Sequence, residues 1–99
     1  MITSVNKITG LTAVLLATKE DSVDVNHISF TNIHSTDSAT IDLYLRDGTY
    51  SYYILKKVTL PIGASLHVDG FDLDFDKELY NLYVSLGDAG STVDVITRY

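Results

Sequence analysis

The chain has 99 residues, enough to bury one hydrophobic core, so a single domain over residues 1–99 is expected, with no need of a structural metal or disulfide. It lacks cysteine, which excludes disulfide frameworks, thiolate metal sites and thiol catalysis and leaves the redox compartment open. Thirteen acidic residues against seven basic ones give a net charge of −6, and no basic cluster exceeds Lys56-Lys57, which argues against nucleic acid as a partner.

Residues 1–10 mix Ser, Thr, Asn and Gly with single aliphatics and read as a short arm or a weak edge strand. The apolar stretch that follows, residues 11–17, is far short of the about 20 residues that a membrane span requires. No membrane partner is expected, and the chain reads as soluble. The stretch lies downstream of Lys7 but carries no small-residue cleavage pattern, so it reads as a first strand rather than a signal peptide. Within residues 11–18, Leu11, Ala13, Leu15 and Ala17 fall on one parity and Val14 and Leu16 on the other, the pattern of a strand covered on both faces. A two-layer domain leaves two ways to cover the second face: a partner subunit, or the N-terminal arm or a loop folded over it.

After a charged turn at residues 19–22, Val23 and Val25 alternate with polar residues, and Ile28 and Phe30 do so on the opposite parity. A β-bulge near Asn26-His27 would restore a common inward face. Residues 33–38 have loop chemistry.

Residues 41–54 carry the clearest hairpin signal, with Asp47-Gly48 between two β-branched and aromatic runs as in a two-residue type I′ turn. Counting outward from that turn pairs Arg46 with Thr49, Leu45 with Tyr50, Leu43 with Tyr52 and Ile41 with Ile54. Tyr44 then faces Ser51, with Tyr53 as its diagonal neighbour and Arg46 beside them on the outward face. Further on, the parity of Tyr52, Ile54, Val58 and Leu60 breaks only at Lys56, which marks a strand end, a bulge or an exposed edge.

Pro61-Ile62-Gly63 fits a turn with proline second and glycine fourth. Ala64, Leu66 and Val68 form a short inward-facing strand, and Phe71, Leu73 and Phe75 alternate with Asp72, Asp74 and Asp76 in another. Tyr80, Leu82, Val84 and Leu86 share a face, and residues 87–90 read as a hairpin loop that sets Val84 opposite Val93 and Leu82 opposite Val95. No segment sustains a helical period. The fold expected is all-β: a single antiparallel β-sandwich of about eight short strands with immunoglobulin-like or jelly-roll connections.

No residues assemble an evident catalytic site. The G-x-S-x-G elbow, the P-loop and the dinucleotide fingerprint are missing, and carboxylate pairs drawn among thirteen acids carry no information. We expect no enzyme and no cofactor. The acidic stretch at residues 69–76 has the composition of a Ca²⁺ loop, but as a strand it would space its carboxylates about 7 Å apart instead of curling them round one point. No metal is expected there. His27, His34 and His67 share no ligand spacing, so a zinc site would depend on tertiary contacts. The outward Tyr44, Tyr53 and Arg46 have the composition of an interface core; the plainer alternative is that the tyrosines supply only β-propensity. With the doubly apolar strand, the interface candidates are Leu11, Val14, Leu16, Tyr44, Arg46 and Tyr53.

The succession Thr31-Asn32-Ile33-His34-Ser35, residues 41–48, residues 52–58, residues 60–66 and Tyr80-Asn81-Leu82-Tyr83-Val84 resembles small β-sandwich virion proteins of tailed bacteriophages, notably phages of marine cyanobacteria. The resemblance runs from about Val23 onward and rests on turn and alternation chemistry. It implies a non-enzymatic structural part of the particle, a capsid decoration, neck or tail component located in the virion. Such a protein would form a homo-oligomer, with a trimer favoured, and would bind other virion proteins. The shared pattern holds only structural positions, so no functional residue is carried over. The alternative from the residues themselves is a carbohydrate-binding module in which Tyr44, Tyr53 and Tyr83 form a stacking platform.

Overall fold

The computed structural model describes residues 3–11, 13–17, 25–70, 73, 75, 79–87 and 92–98. Its strands are β1 Thr3–Thr9, β2 Ala13–Ala17, β3 His27–Asn32, β4 Ala39–Arg46, β5 Ser51–Leu60, β6 Ser65–Asp69, β7 Asn81–Leu86 and β8 Thr92–Arg98. They form two antiparallel four-stranded sheets, in the orders β1-β8-β3-β6 and β2-β7-β4-β5. The antiparallel pairs β1·β8, β2·β7, β3·β6 and β4·β5 show one long hairpin whose two arms are rolled together. Its tip is the β4–β5 connection. Of the two connection schemes expected, this is the jelly roll, an all-β sandwich of eight strands.

The inward parity of each strand supplies the core. Ile8, Ile28, Phe30, Val93 and Val95 of the first sheet and Ile41, Leu43, Leu82 and Val84 of the second are all buried, in one cluster between the layers. The N-terminal segment is a full edge strand, in register with β8 from Thr3 opposite Arg98 to Thr9 opposite Thr92.

At the tip, the Asp47-Gly48 hairpin forms with a four-residue loop rather than two. Arg46 pairs with Ser51, Leu45 with Tyr52 and Tyr44 with Tyr53. The cause is the Asp47 carboxylate, whose Oδ1 accepts the backbone N–H groups of Thr49 at 2.9 Å and Tyr50 at 2.8 Å. An aspartate that captures these donors replaces the backbone ladder of a tight turn with its own side-chain turn. Because the register error is two residues, the inward and outward faces expected of β4 survive. Two further irregularities separate Tyr44↔Tyr53 from Leu43↔Leu55 and from Ile41↔Val58. Ile54 and Leu55, adjacent in sequence, consequently both pack against the core. The break at Lys56 is thus a bulge on an edge strand, and its neighbour Lys57 has φ +52.

Other expectations change as well. No register shift occurs within β3; the parity slip arises because Val25, buried, lies ahead of the strand while Asn26 donates its N–H to the Arg98 carbonyl at 2.7 Å. The turn after β5 is closed by the Ala64 N–H on the Pro61 carbonyl at 3.1 Å, one residue later than expected. Gly63 takes the positive-φ third position at +72, as in a type II turn. Nor do β7 and β8 form a hairpin: β7 lies between β2 and β4, and β8 between β1 and β3. Val84 and Val93 both face inward, but from opposite layers.

The strand expected around Phe71, Leu73 and Phe75 does not form at Leu73 or Phe75, and Phe71 lies outside the described residues. After β6 ends, the Leu73 N–H bonds the Gly70 carbonyl at 3.1 Å in a turn that buries Leu73 in the core and packs Phe75 against it. Asp72, Asp74 and Asp76 lie outside the described residues, and the strand spacing invoked against a cation at residues 69–76 does not hold at Leu73.

Candidate functional site

The second sheet turns one face to the core and leaves the other outward. Register alone lines up four outward residues, one from each strand: Leu15 on β2 opposite Tyr83 on β7, Tyr83 opposite Tyr44 on β4, and Tyr44 opposite Tyr53 on β5. The Tyr44 and Tyr83 rings stack at 5.6 Å between centroids and 12° between planes, while Tyr53 tilts 41° against Tyr44 at 5.2 Å. Lys56 Nζ then lies 3.9 Å from the centre of the Tyr53 ring, a cation–π contact. The row spans the full width of the sheet.

Polar rungs flank it. On one side Ala13, Ser85 and Asp42 are in register, with the Ser85 hydroxyl 3.5 Å from Asp42 Oδ2. On the other, Asn81, Arg46 and Ser51 are in register, and Arg46 Nη1 donates to Ser51 Oγ at 3.2 Å. Burial among these neighbours, followed by the adjacent Tyr53, raises the Tyr44 hydroxyl above its ordinary pKa, against the opposing pull of Arg46. The Tyr44 phenol therefore stays neutral, and the row combines apolar ring area with hydroxyl ends.

The strand expected to be apolar and covered on both sides has one open side. Val14 points inward and packs against the core, so it belongs to no outward surface. Leu15 is 43 % exposed, and Leu11, 67 % exposed, precedes the strand. The N-terminal arm does not cover this face, because it pairs with β8 in the other sheet. The side chain of Leu16 lies outside the described residues; its backbone occupies the register break between Leu15 and Ala17. Of the interface candidates, Tyr44 and Tyr53 are in direct contact and Arg46 is one rung away. Tyr83, considered only for sugar stacking, and Leu15 complete the row. The alternation of β7 signals Tyr83 as outward, whereas β2, apolar on both parities, gives Leu15 no such signal, and only the sheet order makes the two neighbours.

The histidines separate into two places. His27 and His67 meet on the outward face of the first sheet, with Nε2 of one 3.0 Å from Nδ1 of the other. His34 lies in the β3–β4 connection, where its Nδ1 accepts the N–H groups of Thr36 at 3.1 Å and Asp37 at 3.0 Å. Sequence reasoning missed Asn32, which is fully buried. Its Nδ2 donates to the carbonyls of Asp37 at 2.9 Å and Leu60 at 3.0 Å, and its Oδ1 accepts the His34 N–H at 2.9 Å. No protein-family model matches the chain, and no curated protein matches it.

Proposed function

We propose that this protein is a non-enzymatic structural component of a tailed-phage particle, a capsid decoration, neck or tail part, which self-associates and binds a capsid or tail surface. The observation that carries the reading is the Leu15–Tyr83–Tyr44–Tyr53 row across the outward face of the second sheet. Tyrosine with a neighbouring arginine is the composition of interface hot spots, since each joins apolar area to a polar end. The jelly-roll order and the sequence resemblance support the same reading by analogy, because this fold recurs in capsid proteins and also in lectins. Homo-oligomerisation, with a trimer favoured, follows from it.

The carbohydrate-binding alternative uses the same tyrosines, but sugar stacking requires a free ring face. Tyr44 is flanked by Tyr83 and Tyr53, and Tyr53 carries the Lys56 ammonium on its ring. Sedimentation equilibrium at tens of micromolar tests the proposal. Wild type should form a defined oligomer, and Tyr44→Asp, which places a charge on the contact surface, should yield a folded monomer. A monomeric wild type that binds glycans with a change in tyrosine fluorescence would transfer the row to sugar recognition.

A further inference from the structure

Four strands of the sandwich are sheet edges, β1 and β6 in one sheet and β2 and β5 in the other. Three of them carry a feature that discourages pairing with another chain: β2 has a register break between Leu15 and Ala17, β5 bulges around Lys56 and Lys57, and β6 runs for only five residues. β1 differs from all three. Its seven residues, without proline, keep one unbroken register against β8. Its single lysine does not guard the edge either, because Lys7 Nζ is drawn over the sheet to Asp94 Oδ1 at 2.7 Å.

The phase of the hydrogen bonds shows which residues of β1 face away from β8. The carbonyls of Thr92 and Arg98 accept N–H groups from the β3 side, from Ile33 at 3.1 Å and from Asn26 at 2.7 Å. Bonding direction alternates along a strand, so Val93, Val95 and Thr97 face β1 and bond their partners Ile8, Asn6 and Ser4. Thr3, Val5 and Lys7 therefore point their backbone N–H and C=O groups outward from the sheet edge. The side chains of the same three residues stand exposed on the outer face. Val5, at 70 %, is the most exposed large hydrophobic residue among those described.

We propose that β1 pairs antiparallel with β1 of a second copy about a two-fold axis at Val5, joining the β1-β8-β3-β6 sheets of the two copies into one continuous sheet. In that register Val5 exchanges both backbone hydrogen bonds with the partner's Val5, and Thr3 and Lys7 exchange theirs with the partner's Lys7 and Thr3. On the inner side Ser4 meets the partner's Asn6, a hydroxyl against an amide. A second copy is the occupant this strand fits, because its sequence is self-complementary about Val5: apolar meets apolar, polar meets polar, and no like charges are opposed. Centring the pair on Asn6 would set Val5 against Lys7, and centring it on Lys7 would oppose two ammonium groups. One strand per copy buries less than the about 1,600 Å² of a standard interface, so the pairing forms at about millimolar concentration, as when copies are held side by side in an assembly. It lies on the sheet opposite the tyrosine row and stands or falls independently of the proposed function.

The test is amide hydrogen exchange, measured by NMR on the wild-type chain at about 50 µM and about 2 mM. The Val5 and Lys7 amides should exchange about two- to threefold more slowly at the higher concentration, as the unpaired fraction falls. Val5→Pro is tolerated by the β1–β8 ladder, because the Val5 N–H points away from β8, and it should abolish the concentration dependence at Lys7. Val5→Lys, which opposes two lysines at the axis, should abolish it at both amides. Val5 and Lys7 rates that are equal at the two concentrations overturn the proposal, whether fast, which marks an open edge, or slow, which marks an edge covered by the chain itself. Concentration dependence that survives both variants overturns it as well. Should a variant fail to fold, the wild-type rates decide by themselves.

Discussion

Asp42 and Lys57 hold the β4–β5 bulge together: the Lys57 N–H, displaced from the ladder, donates to Asp42 Oδ1 at 2.7 Å. Lys57 is the non-glycine residue with positive φ among the described residues, at +52, a conformation that costs an L-residue about 1 kcal/mol. The bulge thus rests on one side-chain acceptor and one strained residue. Lys57→Gly should leave stability unchanged or raise it by up to about 1 kcal/mol, whereas Asp42→Ala should lower it by about 1 kcal/mol. Urea denaturation of both variants measures this, and opposite signs would mean that the bulge is not the native pairing.

The four-residue loop depends on Gly48 at φ +99, where an added Cβ would meet nothing within 4 Å. Any loss on substitution therefore reports backbone strain rather than a clash. Gly48→Val should destabilise the fold by more than about 1 kcal/mol, and Gly48→Asn by less, since asparagine tolerates positive φ. Melting temperatures ranked wild type, Asn, Val are expected; equal values for all three would remove the strained turn.

Asp47 adds a pH dependence. The backbone N–H groups of Tyr50 and Thr49 hold its carboxyl below the ordinary aspartate value of 3.8. A depressed folded pKa contributes stability that is fully present above the unfolded value and is lost as the pH falls through the folded one. Asp47→Asn keeps an acceptor oxygen but no titrating group. The stability of wild type relative to Asp47→Asn should be constant near neutrality and decline once the pH drops below the ordinary aspartate range. A difference that stays flat down to acid denaturation would show that the carboxylate does not cap the loop.

Asn32 secures the start of the β3–β4 crossing from inside the sandwich, donating to Asp37 and Leu60 and accepting from His34. Asn32→Leu leaves two carbonyls and one N–H without these partners in a buried place, at a cost of about 2–4 kcal/mol. Asn32→Ser should be nearly as severe, because a hydroxyl has one donor where the amide uses two. Denaturant unfolding checks both, and a loss under about 1 kcal/mol would mean that water replaces the amide.

Much of this architecture is written in alternation. The inward sets Ile41-Leu43, Leu82-Val84-Leu86 and Val93-Val95 follow from a side-chain period of two, which each strand carries in its own residues. The Asp47-Gly48 reversal and the irregularity at Lys56-Lys57 are equally local. Parity, however, is blind to a shift of two residues, so it accommodates both the Leu45–Tyr50 pairing expected and the Leu45–Tyr52 pairing observed. It is also blind to the choice of layer: Val84 and Val93 face the core whether they sit side by side or across it, and only the closing of the two sheets placed β7 beside β4 and β8 beside β3. The same closing made neighbours of Leu15, Tyr83, Tyr44 and Tyr53 and brought His27 within 3.0 Å of His67, because strand order, a long-range property, decides which outward residues share a rung.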